Sequence, residues 1–472
     1  MKSNPVIPIA YEISFQDPLK VFSIFSEDDG AVFLDSARIM EVNSRYSFIA
    51  VDPFTTLTCK DGLVKINKKL SRNDPFSVLQ DLLADYPLET LTGLPPFQGG
   101  VAGFFSYDLC NYLERLPVAE LDDMQFPDMA LGFYDLLLAF DHREKRSWIF
   151  SSGYPEKNPE ERKRRAQRRF EELANKIKNV KALQDIPPFV CMEKEIISNF
   201  QRDSYEKSVQ QVIDYIYAGD VFEVNLSQRF SAPLPEGLKA FQLYRRLRQL
   251  NPAPFAAYVN MANSVIASAS PERFLKVVNG LVETRPIKGT RPRGKTEEED
   301  QRNASNLLSS EKDRAENIMI VDLMRNDLSR VCADGSVKVS QLCGLESYAT
   351  VHQLVSTISG KMKKKFDSLD LLKVSFPGGS ISGAPKVRAM EIIAELEPNK
   401  RGPYCGSIGY LGFNGNMDIS IAIRTYAIKN NRVTFQAGGA IVADSDPASE
   451  YEETLDKAWA LRETLLKQVK KS

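Results

Sequence analysis

The most diagnostic segment of this chain is Arg285-Pro286-Ile287-Lys288-Gly289-Thr290-Arg291-Pro292-Arg293-Gly294. It places one lysine, Lys288, between proline and glycine and close to three arginines. Nearby positive charge disfavours an ammonium ion, so we expect a turn in which the pKa of Lys288 is lowered and its free amine serves covalent catalysis. The alternative is a basic surface loop with an ordinary solvated lysine, because most lysines are exposed.

The composition argues against several classes of protein. The 472 residues carry a formal net charge of -1, which gives no overall attraction to nucleic acid or to an anionic membrane. We find neither a secretory signal nor an apolar run of the ~20 residues that cross a bilayer, so we expect a cytoplasmic protein. The 6 cysteines form no CxxC pair and indicate reduced core thiols, and the 2 histidines argue against zinc catalysis and a Ser-His-Asp triad. Any metal should be hard and oxygen-bound.

The chain divides into three predicted segments. Residues 1–150 form an N-terminal lobe of strands and turns, including strands over 32–36 and 46–51, and a hairpin formed by 133–141 and 148–150. Residues 151–195 form a charged connector with a helix over 155–185. Its arginines between positions 162 and 169 indicate a solvated helix face, the alternative being a nucleic-acid patch. Residues 196–472 form a catalytic lobe.

The catalytic lobe contains several candidate ligand sites. The glycine-rich segment 377–386 opens a helix and suits an anion. Residues 417–428 predict a strand in which Arg424 could clamp a carboxylate. Gly438 and Gly439 follow a strand over 432–437, where glycine allows a ligand to approach the backbone closely.

Two predicted helices, over 310–331 and 447–469, carry acidic pairs three residues apart. The pairs are Asp313 with Glu316 and Glu450 with Glu453. Residues at this spacing share a helix face, and two such faces together would make an oxygen site for Mg²⁺. The alternative is helix capping, by Ser310 with Asp313 and by Ser449 with Glu452. Capping does not explain Glu316, Glu450 or Glu453.

Six segments of the chain, in this order, resemble the chorismate-binding enzymes, which include anthranilate, aminodeoxychorismate, isochorismate and salicylate synthases. The segments are 270–274, 285–294, 313–330, 376–386, 401–410 and 449–458. The likeness covers about residues 200–465, with a weaker match over 10–150. It implies an α/β (α+β) fold of two large antiparallel sheets packed as a sandwich with outer helices.

Within the family, the lysine of PIKGT resembles aminodeoxychorismate synthase component I, whereas anthranilate synthases have alanine there. The resemblance implies that Lys288 attacks C2 of chorismate and expels the C4 hydroxyl, with Glu272 as general acid and base and Mg²⁺ holding the ring carboxylate. Ammonia then yields 4-amino-4-deoxychorismate, for p-aminobenzoate and folate. We expect the ammonia to come from a separate glutamine amidotransferase, since we recognise no fused glutaminase. The close alternative is anthranilate synthase component I, and a non-enzymatic amino-acid sensor is a more distant one.

The resemblance also assigns the remaining roles. Glu316 and Glu453 match metal ligands, with Asp313 and Glu450 as supports. Substrate contacts are expected from Gly289, Thr290, Gln353, Tyr404, Arg424, Gly438 and Lys457. Ser36, Tyr46, Asn251 and Pro252 match a tryptophan pocket, the alternative being plain strand packing.

Two positions depart from the family pattern. Gln353 stands where the family often has histidine, with His352 one place earlier. Glu223 stands where relatives often have glutamine, or lysine in the members that add water. Without that lysine we do not expect activation of water.

Overall fold

The computed structural model describes residues 5–38, 44–348 and 351–466. Its helices are α1 Pro18–Phe22, α2 Pro75–Ala84, α3 Pro159–Ile177, α4 Arg202–Tyr217, α5 Ala240–Leu250, α6 Glu297–Ser309, α7 Glu311–Val331, α8 Ser368–Ser375, α9 Lys386–Leu396 and α10 Pro447–Leu465. Within the described ranges, no helix combines the length and apolar character needed to span a bilayer.

The strands, numbered in chain order, fall into two antiparallel sheets. They are β1 Ile9–Ile13, β2 Ala31–Asp35, β3 Tyr46–Ala50, β4 Thr55–Lys60, β5 Leu63–Ile66, β6 Lys69–Ser71, β7 Gly100–Phe105, β8 Met129–Tyr134, β9 Leu136–Asp141, β10 Arg146–Ser151, β11 Ile197–Ser198, β12 Glu223–Pro233, β13 Phe255–Met261, β14 Ser264–Ser270, β15 Arg273–Val278, β16 Leu281–Thr284, β17 Ile287–Pro292, β18 Lys338–Ser347, β19 Val351–Lys361, β20 Gly383–Ala384, β21 Ser407–Gly412, β22 Met417–Ile421, β23 Thr425–Lys429 and β24 Arg432–Ile441.

Each sheet has 12 strands and takes them from both halves of the chain. The first runs β1-β10-β9-β3-β2-β13-β14-β23-β24-β12-β11, with β20 on β12. The second runs β17-β19-β16-β15-β22-β21-β7-β8-β4-β5-β6, with β18 on β19. The seams between the halves are β2 with β13 and β7 with β21. Residues 178–192, within the predicted connector, are irregular chain.

Alternation along the strands builds three hydrophobic layers. In β7, Ala102 and Phe104 belong to a cluster drawn from both sheets, which therefore lies between them. The flanking Val101 and Phe105 face outward to a cluster covered by α2, α7 and α8. The outer face of the first sheet packs against α1, α3, α5 and α10. The expected sandwich with outer helices is confirmed.

Several predicted boundaries differ from the structure. The connector helix is α3 and ends at Ile177, where its apolar contacts with the sheet end. Phe133 belongs to β8 in the second sheet, so only β9 and β10 form the hairpin. The single strand predicted over 417–428 is two strands in different sheets, β22 and β23. Gly438 and Gly439 lie inside β24 and do not follow its end. The predicted end of the last helix, 467–469, lies outside the described residues.

Candidate active site

A cavity of about 710 Å³ opens between the two sheets and helices α7 and α10. Its lining includes both predicted catalytic residues, all seven predicted substrate contacts, three predicted metal-site acids and Asn251 and Pro252. Eight cationic side chains line it, Arg38, Arg273, Arg285, Lys288, Arg291, Lys312, Arg424 and Lys457, against five acids, Glu272, Asp313, Glu316, Glu453 and Asp456. A net positive lining suits a small polyanion.

Lys288 lies on a strand and is buried, so both the expectation of a turn and the alternative of a solvated lysine on a surface loop are wrong. It is the second residue of β17 and only 8% exposed. The register between β17 and β19 shifts at Gly289, whose φ of 80° is in the left-handed region. Because a bulge re-aims neighbouring side chains, Lys288, Gly289 and Thr290 all reach the cavity wall.

The neighbours of the Lys288 amine are carboxylates. Its Nζ lies 2.9 Å from Glu223 Oε1 and 3.9 Å from Glu316 Oε2. The three arginines that crowd Lys288 in sequence are engaged elsewhere. Arg285 pairs with Glu346, Arg291 with Asp313 and Arg293 with Asp300.

The prediction of a lowered pKa at Lys288 is therefore wrong. Burial alone would lower the pKa, but Glu223, Glu316 and Glu272 together outweigh it and raise the pKa above its ordinary value. The three arginines adjacent in sequence do not lower this pKa, because each forms an ion pair with a carboxylate of its own.

Glu272 lies between β14 and β15 and is suited to hold a proton. It is 6% exposed, and burial raises its pKa to about 7, against the lowering effects of Ser380 and Lys288. Ser380 Oγ donates a hydrogen bond to Glu272 Oε1 at 2.7 Å. A carboxyl group with this pKa can donate or accept a proton near neutral pH. The glycine-rich segment thus supplies a hydroxyl to the candidate acid.

Ion pairs with lysines hold the acids of α10, and one of these pairs joins α10 to α7. Lys312 of α7 lies 3.6 Å from Glu450, and Lys457 forms an ion pair with Glu453. Burial raises the pKa of Glu450, whereas at Glu453 the ion pair with Lys457 outweighs burial and lowers the pKa. Burial also raises the pKa of Glu316 to about 7.

This donor set fits a hard cation. Glu450 Oε2 is buried and has no hydrogen-bond partner, and a side chain at Gly439 would place its Cβ 2.8 Å from that oxygen. In the described ranges no three histidine, cysteine, aspartate or glutamate side chains converge closely enough to hold a metal by themselves. Mg²⁺ takes one or two carboxylates and keeps several waters, so Glu316 and Glu453 with water or substrate oxygens would suffice.

Helix capping accounts for one of the two serines. Ser310 Oγ accepts a hydrogen bond from the Asp313 backbone N–H at 3.2 Å at the start of α7. The predicted cap at Ser449 is wrong, because α10 begins at Pro447 and its cap is Asp446, which accepts from the Ser449 N–H at 2.9 Å. Proline at the first position fixes this earlier start.

Arg424 is placed for a carboxylate ligand. It sits at the crossing from β22 to β23 with φ of 53°, a left-handed conformation that costs a non-glycine residue about 1 kcal/mol. Burial lowers its pKa, and within the described chain its guanidinium has no hydrogen bond or ion pair. A strained, partly buried and unpaired arginine in a cavity points to an anionic ligand. Tyr404 lies beside it.

Two further predicted contacts, Lys457 and Gln353, also line the cavity. Lys457 Nζ donates to the Gly438 carbonyl oxygen at 2.9 Å, linking α10 to β24. Gln353 faces the cavity, whereas His352 points away and contacts Ser347 and Asp300. Alternation along β19 thus presents Gln353, and not the histidine, to a ligand.

The residues predicted for a tryptophan pocket are divided between two cavities. Asn251 and Pro252 line the 710 Å³ cavity. Ser36 and Tyr46 line a neighbouring space of about 70 Å³. Ser36 Oγ donates to the Tyr46 carbonyl oxygen at 2.6 Å, so its hydroxyl is used in strand packing.

Residues 33–463 match the chorismate binding enzyme family. The chain belongs to the chorismate-binding enzymes. It is 42% identical over 455 residues to aminodeoxychorismate synthase component 1 of Escherichia coli, covering 95% of both chains. It is also 42% identical over 450 residues to anthranilate synthase component 1 of Thermus thermophilus, covering 94% of both. The crystal structure of anthranilate synthase component I from Streptococcus pneumoniae matches with a TM-score of 0.77 at 34% identity, over 89% of this chain and 93% of that one.

In this chorismate-binding enzyme, two contacts were not predicted from the sequence, Ser380 with Glu272 and Glu223 with Lys288. Ser380 was recognised only as part of an anion loop, and Glu223 only as a departure from the family pattern. Glu223 is fully buried at the start of β12 and is the hydrogen-bond partner of Lys288. A carboxylate in a segment that otherwise reads as a buried strand, Val221 to Leu226, was the available signal, since buried acids need a partner.

Proposed function

We propose that the chain is the synthase subunit of an aminodeoxychorismate synthase, which converts chorismate and ammonia to 4-amino-4-deoxychorismate. The observation that carries the proposal is Lys288 itself, a primary amine at the wall of the cavity beside Glu272. The resemblance assigns lysine at this place to aminodeoxychorismate synthases and alanine to anthranilate synthases. Identity to the relatives does not separate the two, since it is 42% to each.

The proposed reaction has two displacements. The Lys288 ammonium first releases a proton to water. The neutral amine then forms a bond to C2 of chorismate, the ring double bonds shift, and the C4–O bond breaks. The proton of Glu272 goes to the departing hydroxyl, which leaves as water. Ammonia then bonds to C4, the C2–N bond to Lys288 breaks, and the amine is regenerated. The balance is chorismate plus ammonia giving the amino product and water.

The cavity walls are suited to hold the substrate. Arg424, next to Tyr404, offers an unpaired guanidinium to one carboxylate. Glu316 and Glu453 are the residues that would hold Mg²⁺, with Glu450 and Asp313 in support. When bound, Mg²⁺ would supply positive charge for the ring carboxylate. It would also relieve the repulsion that the acids otherwise exert on an anionic ligand.

We further propose a separate glutamine amidotransferase as the source of ammonia, and p-aminobenzoate and folate synthesis as the destination of the product. Both proposals are supported by the resemblance of the sequence to the aminodeoxychorismate synthases. As an extension of the same resemblance, we propose tryptophan as a ligand of the space beside Ser36 and Tyr46.

The test is product analysis of the full chain with chorismate, Mg²⁺ and excess ammonium, with and without an aminodeoxychorismate lyase. We expect p-aminobenzoate only when the lyase is present. Anthranilate formed without the lyase would replace the proposal by anthranilate synthase component I, the candidate favoured by equal identity to that relative.

A further inference from the structure

Glu223 is buried beside the cavity and does not line it. It begins β12, where its backbone pairs with Ala384 of β20, and its side chain is 0% exposed. One oxygen accepts a hydrogen bond from Lys288 Nζ at 2.9 Å, and among the residues that the structure describes the other has no hydrogen-bond partner. A fully buried carboxylate that is hydrogen-bonded to the candidate nucleophile calls for an explanation beyond packing.

The Lys288 amine has two carboxylates within reach. Glu223 is at hydrogen-bond distance, and Glu316 is at 3.9 Å, within ion-pair range but beyond a hydrogen bond. The lysine stem is flexible, so an amine without an acceptor at position 223 would turn to Glu316. That movement would withdraw the amine from its present position and neutralise a carboxylate of the candidate metal site.

We propose that Glu223 is a positioning residue, which anchors the Lys288 amine by a hydrogen bond and thereby keeps it from moving to hydrogen-bond distance of Glu316. The inference rests on the proposed function, since the roles of Lys288 and Glu316 come from it. The anchoring group is the acceptor oxygen at 2.9 Å. Glutamine, which offers an amide oxygen on a side chain of the same length, should therefore replace Glu223, and leucine should not.

Two consequences follow for a variant that lacks the acceptor. The misdirected amine should lower kcat and leave KM for chorismate nearly unchanged, because Lys288 acts in the chemical step and Arg424 in binding. The affinity for a divalent cation should fall even without substrate, because Lys288 would compete for Glu316.

The experiment compares three full-length variants with the parent chain: Glu223→Leu, Glu223→Gln and Glu223→Leu with Lys288→Met. Mn²⁺ binding is measured without chorismate from the electron paramagnetic resonance of free Mn²⁺, and kcat and KM are measured with chorismate, Mg²⁺ and ammonium. We expect Glu223→Leu to lose about tenfold in both Mn²⁺ affinity and kcat, and Glu223→Gln to stay within about threefold in both. The double variant should regain Mn²⁺ affinity while remaining inactive. Thermal melting should show all three folded. In Glu223→Leu the Lys288 ammonium keeps Glu316 and Glu272 as neighbouring carboxylates, and in the double variant apolar side chains replace both partners of the buried pair.

The outcomes separate this inference from the proposed function. Equal kcat for Glu223→Leu and Glu223→Gln would overturn the anchoring of Lys288. Unchanged Mn²⁺ affinity in Glu223→Leu, or no recovery in the double variant, would overturn the competition for Glu316. If the parent chain binds no Mn²⁺, the proposed metal site fails, and with it that competition. The kcat comparison still decides the anchoring of Lys288 in that case. A product other than 4-amino-4-deoxychorismate would count against the proposed function alone.

Discussion

Lys288 is buried and Lys386 is largely buried, and both contact carboxylates, yet their surroundings push their pKa values in opposite directions. Lys386 Nζ donates to Asp327 Oδ2 at 2.7 Å and to the Ser375 carbonyl oxygen at 2.8 Å. Burial lowers its pKa, and Asp327 only partly offsets that effect. At Lys288 three carboxylates more than offset burial. Lys386 thus has one carboxylate partner, whereas Lys288 is influenced by three carboxylates.

The difference separates a structural ion pair from a site prepared for a ligand. A buried charge is tolerated when it is matched, and the Lys386–Asp327 pair joins α9 to α7 without lining the cavity. An excess of negative charge is costly unless a further cation arrives. Around Lys288 that cation would be Mg²⁺, with the unpaired Arg424 ready for the accompanying carboxylates.

The largest expected effect is on activity, from Lys288→Met. Formation of the amino product should fall on the order of 10³-fold, since the nucleophile is lost. The fold should persist with reduced stability. The change leaves Glu223 buried without its partner, but Glu272 and Glu316, each with a pKa of about 7, can take up protons once the ammonium is gone. Product assay and thermal melting check both parts, and extensive unfolding would make Lys288 a structural residue.

Lys386→Met should show the opposite pattern. Removing one partner of a buried pair leaves Asp327 uncompensated and should lower the free energy of unfolding by about 3 kcal/mol. The kcat of the folded molecules should stay within about twofold of the parent, because Lys386 lies outside the cavity lining. Denaturant titration with activity corrected for the folded fraction measures both. A stable but inactive variant would remove the distinction between the two lysines.

Arg424→Gln tests whether the unpaired guanidinium in the cavity binds a substrate carboxylate. Losing a charge-assisted contact to a substrate carboxylate should raise KM for chorismate about tenfold and change kcat less. Steady-state kinetics at saturating ammonium and Mg²⁺ give both constants. A tenfold fall in kcat at constant KM would assign Arg424 to the transition state.

The smallest expected effect is a pH dependence of stability in the metal-free chain. Glu272 and Glu316 have folded pKa values of about 7, above the ordinary 4.5, so the folded state binds more protons than the unfolded state between these values. Their contribution is therefore fully present below pH 4.5 and is lost as the pH rises towards 7. Glu272→Gln should flatten the slope measured in EDTA, whereas Lys386→Met should leave it. Equal slopes for the parent chain and Glu272→Gln would show that burial does not raise the pKa of Glu272.

The sequence predicts the sandwich, because motifs in a characteristic order indicate the family. The structure brings the predicted catalytic and substrate-binding residues to one cavity. It does not predict the environment of Lys288. Glu223 lies 65 positions away, and no local pattern reveals that two such segments meet. The interruption between β22 and β23 at Arg424 could not be predicted, because the residues on both sides alternate as they would in a single strand.

The sequence signals for the start of a helix were also ambiguous where two residues could each serve as the N-cap. Asp446 and Ser449 both suit an N-cap, and the structure uses Asp446 since Pro447 follows it. This ambiguity concerns residues that are close together in the sequence. By contrast, the error at Lys288 arose from tertiary contacts that only the assembled sheets create.

The seam between β2 and β13 has a consequence for how the protein is made. Asp35 pairs with Ala256, so the centre of the first sheet cannot close until more than half of the chain has been synthesised. At about 5–20 residues per second, the early strands wait tens of seconds on the ribosome for their partners. Such long-range pairings fold slowly and leave strand edges exposed meanwhile. Chaperone dependence during synthesis, rather than after heat shock, is the trait this architecture should confer.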